Sequence, residues 1–107
     1  MDKYLLMHKE SEHPVGELFV DINADIFTFR KNEEYEGKLP AFLVYVSEKM
    51  SESERIKMWV MERAPDRDNE FIDVLIEKIG ETEYNSYSFF KHNNGAFNYD
   101  KFYVTSV

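Results

Sequence analysis

The sequence predicts an α+β domain, a small and mostly antiparallel sheet of four to five strands packed against two to three helices, within one domain over residues 1–107. Three observations predict it. The first thirty residues carry short apolar runs with alternation, separated by polar turns. Ser51-Glu-Ser-Glu54 has the form of a capping box and precedes apolar residues at helical spacing. The tail is rich in aromatics interrupted by Asn94-Gly95, a strong two-residue hairpin signal.

Tyr4 to His8 reads as a buried strand and Val15 to Ile22 as a second, with Leu18, Val20 and Ile22 in alternation. The polar segment between them ends in Pro14, which marks a hairpin loop. Asn23-Ala-Asp25 is the next turn, and Ile26 to Arg30 alternates as a third strand, so the chain opens as a three-stranded meander. A polar loop over 31–38 and Leu39-Pro40 lead to Phe42-Leu-Val-Tyr-Val46, read as a fourth strand. Ile56, Trp59, Val60 and Arg63 then follow the Ser51 cap on a helix that Pro65 brings to an end, because the residue before proline is driven out of the α region. Asp66 or Asp68 is expected to cap a second helix, largely buried, that stops at Gly80. The Asn94-Gly95 signal implies a closing strand from Phe97 to Val104.

Composition excludes several classes of function. Apolar residues make up 43% and charged residues 32%, which places the chain with globular proteins and not with disordered ones. Cysteine is absent, so disulfides, zinc–thiolate sites and thiol catalysis are excluded and a reducing cytoplasm is the expected location. No apolar stretch approaches the roughly 20 residues that span a bilayer. A formal net charge of −8 opposes direct nucleic-acid binding, which depends on Lys and Arg displacing counterions.

The residues suggest no catalytic, cofactor or metal site. Asp66, Asp68, Glu70 and Glu77 fall on ligand positions of a calcium-binding loop, but Phe71 stands where its sharp turn demands glycine. His8, His13 and His92 share no metal-ligand spacing, no serine sits in a nucleophile elbow, and the four glycines are isolated from one another. Trp59, the only tryptophan, reads either as a core residue or as an anchor for a partner. Arg63 and Arg67 read either as surface ion pairs with Glu62, Asp66 or Asp68, or as partner contacts.

Val15-Gly-Glu-Leu18, the alternating Phe27 and Phe29, Leu39-Pro40, Trp59 with Arg63, Pro65-Asp66 and Gly95-Ala96 occur in an order that resembles the small N-terminal subdomain of HipA-type serine/threonine kinases and its stand-alone counterpart, the HipS-type antitoxin. Two departures are visible: Arg63-Ala64 stands where the family often has two leucines, and the loop from Glu10 to His13 is longer than the family's tight turn. The resemblance implies a non-catalytic module whose partner is a HipA-like kinase held inactive, with Trp59, Arg63 and Arg67 at the contact and no cofactor. The rival expectation, from the charge alone, is an acidic inhibitor from a phage or mobile element that mimics nucleic acid and blocks a basic DNA- or RNA-binding protein.

Overall fold

The expected meander forms: β1 (Asp2–His8), β2 (Gly16–Asp21) and β3 (Ile26–Lys31) pair antiparallel in sequence order in the computed structural model, which describes all of residues 1–107. The last strand, β4 (Phe102–Ser106), returns to the free side of β1, giving the order β3-β2-β1-β4. Period-two alternation sets one face toward the core, with Tyr4, Leu6, Leu18, Val20, Phe27, Phe102 and Val104 all buried. The opposite face is half-exposed and carries a cross-strand ladder in which Glu17 pairs with Lys3 at 2.8 Å and with Arg30.

Four helices follow β3: α1 (Ala41–Val44), α2 (Glu52–Met61), α3 (Ile72–Lys78) and α4 (Ser86–His92). The architecture is thus a four-stranded antiparallel sheet with helices, a small α+β fold. The Ser51 capping box forms in full, with the hydroxyl accepting from Glu54 N at 3.1 Å and the Glu54 carboxylate accepting from Ser51 N at 3.4 Å. From there α2 lays Ile56, Trp59 and Val60 on the sheet, and Ser53 accepts the outward-pointing N–H of Phe27 at 2.8 Å, tying the helix to the edge of β3.

Four sequence expectations need correction. Phe42 to Val46 is not a strand: Ala41–Val44 is one helical turn, closed by a 2.8 Å bond from Tyr45 N to Ala41 O. Strand propensity yields here because the turn drops Phe42 between Phe29 and Trp59, with ring centroids 5.1 and 5.3 Å away. The second expected helix begins only at Ile72, with Phe71 and not an aspartate at its N-cap. Asp66 and Asn69 instead accept from Asp68 N and Phe71 N in local turns, the competing use of such side chains. Nor is α3 largely buried: Ile76 is its one buried residue, while Phe71 and Val74 are each 62% exposed. Finally, Asn94-Gly95 closes no hairpin. It ends α4, a helix that the sequence pattern did not announce, through positive φ at both residues and bonds from Gly95 N to Phe90 O and Asn94 N to Lys91 O. A helix C-cap and a tight hairpin ask for the same left-handed backbone, so the dipeptide alone does not distinguish them.

A candidate docking face beside α2

Beyond α2 the chain turns through Glu62 and sends the Arg63 side chain inward, where it is 1% exposed. Its guanidinium lies 4.0 Å from the Trp59 ring and 5.2 Å from that of Phe97. Four of its five N–H groups are committed: Nε to Gly95 O, Nη1 to Asp100 Oδ2 at 2.8 Å, and Nη2 to both Asp100 Oδ1 at 2.5 Å and Phe102 O at 2.8 Å. Asp100 Oδ1 also accepts from Phe102 N at 3.0 Å. Together the two side chains satisfy both polar groups that Phe102 turns away from β1, which closes this stretch of the sheet's free edge. Burial acts to raise the Asp100 carboxyl, but the bonds and charge of Arg63 and the Phe102 N–H outweigh it and hold the carboxyl below the usual aspartate range.

Arg63 is therefore no surface pair with Glu62, Asp66 or Asp68, because its partner is the part-buried Asp100, 37 residues on. Trp59 is a core residue, 6% exposed, with its ring set edge-on to Phe42 and Phe102. Arg67 remains on the surface, its guanidinium 4.8 Å from the Tyr84 ring. Tyr84 in turn donates to Pro65 O at 2.8 Å, which pins the turn that carries both residues. The three residues expected at a contact thus divide into two that bind the fold together and one that is exposed.

An accessible apolar surface lies next to them. Val44 is 54% exposed, Tyr45 76%, Val46 69% and, on α2, Met58 51%. Two open grooves flank Tyr45. One, of about 320 Å3, runs between α1 and the α4–β4 loop over Trp59, Arg63 and Phe97. The other, of about 340 Å3, runs between α1 and α2 over Phe42, Met50 and Met58. Trp59 and Tyr45 line both. Arg55 braces the connection by donating to Phe42 O at 3.3 Å and Met50 O at 3.1 Å, so the exposed segment is anchored at both ends. Reading Phe42 to Val46 as a strand hides this face; the consecutive Val-Tyr-Val is the available signal.

No group of three or more His, Cys, Asp or Glu side chains is placed to hold a metal ion, and no helix is long and apolar enough to cross a membrane. Comparison with family models, curated proteins and solved structures finds no match to this chain.

Proposed function

We propose that the chain is a non-catalytic, antitoxin-like binding module of the cytoplasm that binds and restrains a HipA-like serine/threonine kinase through the face around Tyr45. The observation that carries the reading is the run Val44-Tyr-Val46, exposed beside two grooves on a braced segment. Apolar side chains gathered in this way mark interaction surfaces, and an aromatic at the centre of such a patch is the usual energetic anchor. The order of short motifs from Val15-Gly-Glu-Leu18 to Gly95-Ala96 supports the choice of partner. In this reading Trp59 and Arg63 act from beneath, as the groove floor, and Arg67 stands at the margin of the contact.

The test is inhibition of a purified HipA-like kinase core encoded beside the gene. The wild-type chain should suppress its autophosphorylation in proportion to complex formed. Tyr45→Asp should abolish suppression at an unchanged melting temperature, and Thr28→Asp, on the far face of the sheet, should leave it intact. A kinase indifferent to the wild-type chain would remove the proposal.

A second reading has its own observation. Asp66, Asp68, Glu70, Asp73, Glu77, Glu81 and Glu83 are all exposed along one segment, as the acidic nucleic-acid mimic requires. Complexes formed by that segment would weaken steeply as salt rises, because exposed charge pairs are screened, whereas those formed by the Tyr45 face would not.

A further inference from the structure

A third concavity, of about 450 Å3, opens on the other side of Asp100, between the β1–β2 loop, the loop before α1 and the segment leading into β4. Its volume lies in the range of small-molecule sites. His8, the last residue of β1, stands in its wall with only 6% of its surface exposed and its ring edge-on to Phe102, at 4.8 Å between centroids. The backbone N–H of Glu10 donates to His8 Nδ1 at 3.2 Å. A neutral imidazole whose Nδ1 accepts must carry its proton on Nε2. No protein group accepts that proton and Nε2 is not sealed from solvent, which leaves it an open donor on a residue of the cavity wall.

The other polar groups in the wall decide what this donor is for. Both oxygens of Asp100 are taken by Arg63, and Glu10 is paired with Lys101. The Tyr35 hydroxyl donates to Lys38 O. Lys38 itself lines the cavity and has no carboxylate within ion-pair distance. Every acid in the wall is thus paired, while one imidazole N–H, one ammonium, the Asn98 amide and the Tyr99 hydroxyl stay uncommitted. Their complement is a single negatively charged acceptor. A dianion such as a phosphate monoester would bring twice the charge to the one free ammonium, whereas a singly charged group matches it one for one.

We propose that this cavity binds a carboxylate group, held by His8 Nε2–H and the Lys38 ammonium. A carboxylate can come from a free organic acid or from an acidic side chain of a polypeptide, and the test separates the two. The full chain is titrated with propionate, with N-acetylglutamate amide and, as a cation control, with methylammonium. The readout is the His8 ring and Lys38 side-chain resonances in heteronuclear NMR spectra. Both carboxylates should move these resonances saturably, and methylammonium should not. A clear preference for the glutamate derivative assigns the site to a polypeptide side chain, and equal or better binding of propionate to a free acid.

Lys38 is exposed, so Lys38→Gln leaves the fold in place, and loss of one charge-assisted bond should weaken binding about tenfold. His8→Phe keeps the ring packed on Phe102 and should weaken it by a similar factor. Shifts that never saturate, that methylammonium reproduces, or that survive both substitutions would overturn the assignment.

Discussion

Arg63 shows what a single side chain contributes when it is buried with its partners. A guanidinium removed from water is tolerable only when nearly all its donors are met, and here a carboxylate, two carbonyls and two aromatic faces meet them. Arg63→Ala should cost about 3–5 kcal/mol, because it strands the Asp100 charge and two carbonyls. Arg63→Lys should recover only part of this, since an ammonium lacks the planar fork. Asp100 adds a pH signature. Its folded-state pKa is depressed, so its contribution is fully present above the unfolded value of about 3.9 and is lost as pH falls through the folded value. Wild-type melting temperature should therefore fall more steeply than that of Asp100→Asn below about pH 4. Parallel curves for the two proteins would mean that the pair is not coupled to folding.

The elements legible in the sequence are those whose signal is local and complete. The capping box at Ser51 and Glu54 needs only four residues, and the strand alternation in β1 to β3 needs only the next turn; both formed as expected. Ser51→Ala should accordingly cost about 1 kcal/mol in denaturant unfolding. Gly16, in the Val15-Gly-Glu-Leu18 run, is required by close approach: a Cβ there would lie 2.5 Å from Phe29 Cζ and would also strike the Arg30 carbonyl. Gly16→Ala should therefore destabilise more than Ser51→Ala, and a cost equal to or smaller than that of the cap would show that the Phe29 ring and the β3 backbone at Arg30 both give way freely. What stayed illegible depended on distant partners. Phe42 became helical because Phe29 and Trp59 leave a slot for it, and α4 forms where a run of aromatics carries no clear period. The exposed face around Tyr45 was hidden by the first of these errors, and the role of Arg63 by the 37 residues that separate it from Asp100.

On the scale of the whole molecule, the fold is closed by a pairing between the two ends of the chain. β4 aligns Val104 with Leu6 and Phe102 with His8, so the core face of β1 is completed by a strand far from it in sequence. Helix α4 joins the same closure: Tyr87 donates to Asp2 at 2.6 Å, which leaves Tyr4 as the donor to Tyr87 at 2.7 Å. Burial pushes both phenols up, so this relay stays protonated across the neutral range. Such long-range contacts repay their loop-closure entropy only once both partners are in place, which makes the domain cooperative and makes β4 indispensable to it. A chain lacking residues 101–107 would strip Leu6 of its cross-strand neighbour Val104 and deprive Arg63 of the Phe102 carbonyl. It should lose near-ultraviolet dichroism and melt without a sharp transition. A chain lacking only residues 105–107, all exposed, keeps Phe102 and Val104 and should still melt cooperatively at a lower midpoint. If the longer truncation also unfolded in one sharp transition, the meander and helices would be a self-sufficient unit, and the end-to-end pairing would be an addition to the fold and not its closure.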